Sequence, residues 1–480
     1  MEKFFKIKER GSTVNREIIA GITTFLAMAY ILAVNPGMLS ATGMSFNAVF
    51  TATAISAAVA TLVMAFFANL PVALAPGMGL NAFFTFTVCL GMNCSWQFAL
   101  TAVFIEGILF IILSLFGIRE AIIKSIPPVL RKAVSVGISL FIALIGLANA
   151  GIVSGNTGTI IGFVNFNMEN KAAIVAMIGL IITIALYLLK VPGGILLGII
   201  ITTIVGIPFG VTKIPDDFTP WSLPAAPYFC EFEWANVLSL KFFVVFFTFL
   251  FTDIFDTIGT LMGVTQQANL TDKEGNIPNA KEAFLADAIG TVVGACLGTS
   301  TVTSFVESSS GVAAGGRTGL SSVVTSIFFI LALFFCPLFA LVPSAATAPA
   351  LIFVGFLMMK SIADIDFNDA SEGIPAFITI LVMPFAYSIS KGIAFGVIAY
   401  VLSKVFAKKA KDIHIVTWIL ALVFIADIIF PRYPATKASW FSLLFFRLSQ
   451  QTAFLRLWHF FSRTIFLGFS SIFSSFYVFF

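Results

Sequence analysis

Long apolar runs recur through most of this 480-residue chain, and they constrain its fold more than any other feature. Charged residues make up 10% of the sequence, whereas a soluble domain carries about 25%. So few charges cannot cover a water-facing surface, and lipid must be the solvent for most of the molecule. Because the apolar runs are continuous and do not alternate with polar residues, they predict spanning helices and not a β-barrel.

Fourteen membrane segments are predicted when about 20 apolar residues are allotted to each spanning helix. Two of them, 71–91 and 298–316, are apolar but interrupted by proline, glycine and polar residues. The other twelve lie near 16–35, 47–68, 96–117, 128–149, 171–189, 192–209, 238–262, 280–297, 319–341, 346–360, 373–388 and 391–407. The predicted fold class is an all-α polytopic membrane protein.

The positive charges predict the orientation of these segments. With the N-terminus inside, eighteen Lys and Arg residues, Arg119, Lys124 and Lys273 among them, fall in cytoplasmic segments. Only four, Lys171, Lys213, Lys241 and Lys391, fall on the opposite side. Positive residues concentrate on the cytoplasmic side of membrane proteins. The sequence therefore predicts a multi-pass protein of the plasma (inner) membrane with a cytoplasmic N-terminus and an even number of crossings.

A proline-rich and aromatic stretch near the middle of residues 1–410 divides the segments into two sets of seven. Seven is odd, so the two sets must run in opposite orientations, which is the arrangement of an inverted repeat. The predicted regions are a cytoplasmic tail (1–15), the first repeat (16–209), an extracellular loop (210–236), the second repeat (237–410), a last membrane-associated helix (411–430) and an atypical tail (431–480). The Phe- and Ser-rich tail reads as a reading-frame artefact or an interfacial extension, and no function is assigned to it.

The two interrupted segments are each third in their half. Proline removes a backbone donor and glycine weakens a helix, so neither segment can span as a continuous helix. Residues 72–75 and 300–303 are predicted to be short strands, each followed by a half-helix. Irregular backbone at membrane depth survives only where it is buried or lines a polar cavity, and paired broken segments point to the binding site of a transporter. The alternative is a pair of re-entrant loops that only pack.

Ionisable residues inside a span are costly and indicate function by default. Candidates are Asp253 and Asp256, one helical turn apart in segment eight, Asp287 in segment nine, Glu307 in segment ten, and the amide Asn81 in segment three, which is predicted to match Glu307 in position. Acids with no cation at the same depth take up protons readily. A protonated carboxyl donates a hydrogen bond and an ionised one accepts, and a nucleobase edge presents both kinds of group. Glu106 in segment four stays unassigned.

Structural roles compete with these functional ones. Asp256 and Asp287 can instead cap or tie helices, and Asn81 can serve as a packing contact between helices. Arg317 is predicted to extend to the cytoplasmic interface. The five cysteines show no CxxC spacing, so they are interpreted as apolar fillers in helices. No metal site and no catalytic residue is predicted.

Several long stretches, in order, resemble the nucleobase–cation symporter-2 superfamily, and within it the AzgA-like branch of purine permeases. They are GITTFLAMAYILAVNP (21–36), LAPGMGLNAFF (74–84), FTDIFDTIGTL (251–261) and DAIGTVVGACLGTSTVTSFVESSSGVAAGGRTGL (287–320). The resemblance implies two inverted seven-segment repeats, a core domain that carries substrate, a gate domain that supports a homodimer, and short strands meeting at the site. It assigns Asn81, Asp253 and Glu307 to substrate binding, and Asp256 and Asp287, with Glu307, to the polar network or proton coupling.

Proton-coupled import of adenine, guanine or hypoxanthine by alternating access is the predicted function, with Na+ as the alternative coupling ion and no other cofactor. Glu307 is followed by Ser308, whereas the xanthine and urate branch has Asn there, which disfavours those substrates. The small net charge of +4 gives no reason to expect nucleic acid as a partner. An anion carrier of the same architecture is the main alternative. An intramembrane protease or hydrolase lacks its motifs, and a channel lacks a filter motif.

Overall fold

Helices dominate the computed structural model, which describes residues 2–115, 127–155, 161–164, 166, 169–271 and 277–429. Within these residues, nine helices are long and apolar enough to cross a membrane, and four shorter apolar helices accompany them. The chain is therefore a multi-pass membrane protein, while the total of fourteen segments stays a prediction. The cations Arg119, Lys124 and Lys273, the end of the predicted span 96–117 and the tail 431–480 lie outside the described residues.

The helices of the first half follow the predicted spans closely. They are α1 Glu2–Phe5, α2 Val14–Met28, α3 Ile31–Ser40, α4 Phe46–Val63, α5 Met78–Ala82, α6 Trp96–Leu115, α7 Pro128–Asn149, α8 Lys171–Leu188 and α9 Gly194–Gly206. Two helices continue with π-helical hydrogen bonding, α4 through Met64–Ala68 and α5 through Phe83–Gly91.

The helices of the second half begin after the long loop. They are α10 Leu240–Gln267, α11 Ala280–Leu297, α12 Ser308–Ala313, α13 Gly319–Ala332, α14 Cys336–Ala340, α15 Ser344–Met358, α16 Ala370–Phe385, α17 Ile389–Phe406 and α18 Ile415–Ile429. Short 3₁₀ turns lie at Leu333–Phe335, Met359–Asp364 and Ala410–Asp412. Residues up to Ile425 pack as one unit, and a second unit begins at Ala426.

Two helix bundles form, and each takes helices from both halves of the chain. The core bundle packs α2, α4 and α6 against α10, α11 and α13. The gate bundle packs α7, α8 and α9 against α15, α16 and α17. Small residues allow close approach in the core bundle, where a Cβ on Gly290 would lie 2.6 Å from the Cβ of Ala60. This exchange of helices between halves confirms the predicted inverted-repeat architecture.

Two short strands join the broken segments into one antiparallel ribbon. Strand β1 is Leu74–Pro76 and strand β4 is Val302–Ser304, and the pairs are Leu74 with Ser304, Ala75 with Thr303 and Pro76 with Val302. A second ribbon, β2 Val153–Ser154 with β3 Gly162–Phe163, lies between α7 and α8. Strands β1 and β4 each begin two residues later than predicted, because the residues beside them add only single hydrogen bonds to the ladder. Phe305 N donates to Ala73 O and Gly77 N donates to Thr301 O, each at 3.0 Å.

Hydroxyl side chains satisfy the irregular backbone of the first broken segment. Thr61 Oγ1 accepts from Leu74 N at 2.9 Å, and Ser308 Oγ accepts from Ala73 N at 3.0 Å. Ser322 Oγ donates to Leu70 O at 2.8 Å. Backbone polar groups cannot be left without partners in hydrocarbon, so these bonds are what permits a ribbon at this depth.

The interpretation of the cysteines as helix fillers is wrong for Cys230 and Cys94. Cys94 lies in the turn between Gly91 and α6. Cys89 and Cys336 are buried in helices, but Cys230 is exposed in the long loop between α9 and α10. The difference arises because the loop packs back on the core bundle and brings Cys230 to Cys296, whose backbone oxygen accepts from Cys230 N at 2.7 Å.

Candidate functional site

Asn81 lies in the half-helix that follows β1, and its side chain is fully buried. Its Nδ2 donates to Pro76 O at 3.3 Å, and its Oδ1 accepts from the hydroxyl of Ser300. Pro76 ends β1 and Ser300 lies just before β4, so the amide joins both strands of the ribbon. Asn81 is therefore held at the ribbon by both strands.

A single threonine links two of the predicted acids to the ribbon. Thr257 on α10 donates to Asp287 Oδ1 on α11 at 2.8 Å, and its hydroxyl lies 2.8 Å from that of Thr303 in β4. The same hydroxyl lies 3.4 Å from Asp253 Oδ1, one turn earlier on α10. Asp253 and Asp287 are fully buried. The structure thus brings both acids to one face of β4.

Asp256 lies one turn from Asp253 and faces the joint between β1 and α5. A Cβ built on Gly77 at that joint would lie 3.6 Å from Asp256 Oδ2 and would clash with Thr303 Cγ2. Only glycine fits so close to the opposite strand. Asp256 is half-buried, unlike Asp253, so its carboxylate is the more accessible of the two.

Glu307 lies just before α12 and meets an aromatic side chain from the first segment. Tyr30, between α2 and α3, donates its hydroxyl to Glu307 Oε1 at 2.5 Å. Tyr30 is fully buried, while Glu307 is half-buried. The bond connects the first segment directly to the second broken segment.

Asn81 and Glu307 do not occupy matching places, contrary to the sequence-based expectation. The local two-fold axis of the ribbon passes through the Ala75–Thr303 pair and relates Asn81 to Ser309 and Glu307 to Gly79. Among the described residues no hydrogen bond joins Asn81 to Glu307. They approach the ribbon from opposite ends, because in an antiparallel pair the ends of the two strands point apart. The amide of Asn81 and the carboxylate of Glu307 therefore lie towards opposite ends of the ribbon.

Glu106, which the sequence left unassigned, also belongs to this arrangement. It is fully buried on α6, and its Oε2 accepts from Thr301 Oγ1 at 2.9 Å. On the neighbouring helix α11, Thr291 Oγ1 donates to Val302 O at 2.9 Å. The two hydrogen bonds hold β4 and the residue before it against helices α6 and α11.

Sequence reasoning also missed the hydroxyl groups that connect the acids. In the stretch GTSTVTS at 298–304, the hydroxyls of Ser300, Thr301 and Thr303 form hydrogen bonds with residues of three different helices. The density of hydroxyl side chains in this otherwise apolar region could have indicated their role. No local sequence feature indicates that Tyr30 donates to Glu307. The described ion pairs, Lys8–Glu2, Lys404–Glu372 and Lys409–Asp369, involve none of the site residues.

Arg317, predicted to extend to the cytoplasmic interface, is folded back on its own segment. Its guanidinium donates to Val312 O at 2.7 Å and to Gly316 O at 2.6 Å. Its backbone N–H donates to Glu17 Oε1 at 2.9 Å. Arg317 therefore closes the loop after α12 and makes no contact with the acids.

Comparison with known proteins supplies a family and a fold. Residues 15–395 match the sequence model of a family described as the Permease family. The guanine/hypoxanthine permease PbuG of Bacillus subtilis (strain 168) is 45% identical over 442 residues, covering 90% of this chain and 100% of that one. The adenine permease AdeP of Escherichia coli (strain K12) is 40% identical over 437 residues, covering 90% and 96%.

The solved structures that match share the fold at low sequence identity. The transmembrane domain of a cyanobacterium bicarbonate transporter, BicA, superposes with a TM-score of 0.60 at 14% identity, covering 79% of this chain and 96% of that one. An identity this low establishes a common architecture and nothing about what is carried.

Proposed function

The chain belongs to the Permease family of nucleobase–cation symporters, and on that premise we propose that it imports a purine nucleobase, hypoxanthine, guanine or adenine, together with a proton. The similarity to a guanine/hypoxanthine permease and to an adenine permease supports a purine as the substrate. The observation that carries the proposal is the ribbon between two broken segments, ringed by acids and a buried amide.

The chemistry of this ring suits a purine. A purine edge carries ring N–H donors and nitrogen or carbonyl acceptors side by side. Asp253 and Glu307 accept hydrogen bonds when ionised, and the amide of Asn81 can both donate and accept. We assign these three to substrate binding. Asp256 and Asp287, with Glu307, form the polar network that we assign to proton coupling, with Na+ as the alternative coupling ion.

An anion carrier would share the fold but not this site. The BicA likeness extends to the architecture, yet the residues around the ribbon of this chain are carboxylates. Carboxylates raise the energy of a nearby anion because like charges repel, more strongly where little water screens them. The charge of the site therefore favours a neutral, hydrogen-bonding substrate over bicarbonate or sulfate.

The two bundles support alternating access as the mechanism. The core bundle carries the whole ribbon and its acids, while the gate bundle contributes an apolar face. A cleft between them is lined by Phe251 of α10 and, on the other side, by gate and C-terminal residues, namely Leu130, Val134, Thr379, Ile393, Val397, Leu420 and Phe424. Apolar surfaces can slide past each other without breaking hydrogen bonds. We propose that the core bundle moves against the gate bundle while the site stays intact.

The proposal also covers the membrane location and the oligomeric state of the protein. We place the protein in the plasma (inner) membrane with its N-terminus in the cytoplasm, on the distribution of Lys and Arg. We propose a homodimer built through the gate bundle, whose outer face exposes large apolar side chains such as Ile181, Leu188 and Phe377.

Uptake measurements test the substrate assignment. Cells that lack their own purine permeases and express this chain should accumulate radiolabelled hypoxanthine, and an excess of unlabelled guanine or adenine should compete. A protonophore should abolish the accumulation. Uptake of labelled bicarbonate or sulfate, with no uptake of purines, would instead establish the anion carrier.

A further inference from the structure

Two cysteines far apart in the chain meet at the external end of α11. Cys230 lies in the long loop and Cys296 next to the last residue of α11. The backbone N–H of Cys230 donates to Cys296 O at 2.7 Å, so the two residues are in direct contact. A backbone bond of this kind places two Cα atoms about 5–6 Å apart, which lies within the range that a disulfide bridges.

The loop is held at this place by contacts that involve neither thiol. Tyr228 packs on Gly298, where an added Cβ would lie 2.7 Å from Tyr228 Cβ. The hydroxyl of Tyr228 accepts from Ser45 N at 2.8 Å, and its ring lies 4.8 Å from that of Trp96. Gly298 has a φ of +91°, a backbone conformation that suits glycine, and this turn brings the chain from α11 towards the loop.

Contacts on the other side of Cys230 fix the loop equally well. Glu233 N donates to Thr101 Oγ1 at 2.8 Å, and the ring of Phe232 lies 4.6 Å from that of Phe104. Cys230 is thus clamped between two anchored stretches, both on the core bundle. Its approach to Cys296 is a feature of the packed loop and does not depend on a chance side-chain rotamer.

We propose that Cys230 and Cys296 form a disulfide on the outer face of the membrane. The chain gives up two thiol hydrogens and two electrons to an external disulfide oxidant, which is reduced to two thiols, as one cysteine thiolate attacks the oxidant and the other resolves the mixed disulfide. The predicted placement of the loop on the outer side exposes the pair to compartments in which disulfides persist.

The position of the bond in the chain gives it a structural consequence. All of α10 and nearly all of α11 lie between Cys230 and Cys296, and these helices carry Asp253, Asp256 and Asp287. A disulfide stabilises mainly by restricting the unfolded chain between its ends. The bond therefore secures the acid-bearing helices and, through Gly298, the approach to Ser300.

Thiol counting and fragment mapping test the proposal on the purified full-length chain. After oxidation with diamide, thiol titration in denaturant should fall from five thiols to three. Cleavage at methionine with cyanogen bromide places Cys230 in fragment 178–262 and Cys296, with Cys336, in fragment 263–358. These two fragments should stay linked without reductant and separate with it. The link should persist in Cys336→Ser and be lost in Cys230→Ser and Cys296→Ser.

Three results from thiol counting and fragment mapping would overturn the proposal. They are five titratable thiols after oxidation, a link from either fragment to fragment 93–168, which holds Cys94, or a link that survives in Cys230→Ser. A covalent dimer on a non-reducing gel that disappears in Cys230→Ser would also reject the intramolecular bond. Wild type and Cys336→Ser suffice for the decision if the other variants do not fold. The thiol readout does not involve transport, so it stands apart from the outcome of the uptake experiments.

Discussion

The hydroxyl of Thr257 has one hydrogen to donate, yet it lies within reach of Asp253, Asp287 and Thr303. If Thr303 donates to Thr257, then Thr257 can donate to one carboxylate only. A protonated carboxyl gains an O–H donor, so it can donate to Thr257 and leave the Thr257 hydrogen for another acceptor. Under the proposed proton coupling, a proton that binds one of these acids would alter the hydrogen bonding of Thr303 in β4.

Replacing Glu307 by Gln should abolish concentrative hypoxanthine uptake and leave membrane insertion intact. The amide keeps the shape and an acceptor for Tyr30 but cannot bind or release a proton. Radiolabelled uptake and the amount of chain in the membrane would be measured together. Glu9→Gln, on an exposed residue of the N-terminal segment, is the matched control. Normal accumulation by Glu307→Gln would show that this side chain has no part in coupling.

Glu106 is expected to act by positioning the ribbon. Glu106→Gln retains an acceptor for Thr301, whereas Glu106→Leu leaves that buried hydroxyl without one, which costs about 1–3 kcal/mol. We expect uptake near the wild-type rate for the Gln variant and a loss of about tenfold or more for the Leu variant. Equal loss of uptake in both variants would mean that the charge of Glu106, and not its acceptor, is required.

At the scale of elements, the ribbon depends on a close approach between β4 and the residue after β1. A Cβ at Gly77 would clash with Thr303 Cγ2, so Gly77→Ala forces the strands apart. Overpacking of this kind costs about 1–3 kcal/mol. We expect a lower Tm and slower uptake. Gly263→Ala on α10, where a Cβ meets nothing within 4 Å, is the matched control.

A second substitution makes this test specific. Thr303→Ser removes the methyl group that the added Cβ at position 77 would strike, and it keeps the hydroxyl that bonds Thr257. The double variant Gly77→Ala with Thr303→Ser should therefore recover much of the Tm and uptake lost by Gly77→Ala alone. Independent, additive losses in the double variant would contradict the clash, because contacting residues are expected to couple.

The ribbon also shows how far the sequence could go. Pro71, Pro76 and the glycines of 298–316 predicted both breaks, because proline and glycine have local effects on helices. The bonds from Ser300 to Asn81 and from Tyr30 to Glu307 were beyond prediction. They join residues more than two hundred positions apart, and only the packed fold determines which hydroxyl meets which acid.

At the scale of the whole molecule, counting predicted two sets of segments with opposite orientation, and the family resemblance implied a core and a gate domain. The structure has two bundles that each combine helices of both halves. The predicted equivalence of Asn81 and Glu307 is wrong, because the register of the ribbon relates Asn81 to Ser309 and Glu307 to Gly79. The core bundle accordingly has an amide near one strand and an acid near the other, an asymmetry that suits a substrate with two different edges.

Proton movement driven by substrate tests directly whether purine and protons enter together. Purified chain would be reconstituted in liposomes without an imposed gradient, and external pH followed with an impermeant dye on addition of hypoxanthine. We predict that the medium becomes more alkaline as purine and protons enter together, and that Glu307→Gln gives no such signal while still exchanging labelled for unlabelled purine. Purine entry into wild-type liposomes with no pH change, or an undiminished pH change with Glu307→Gln, would contradict the account.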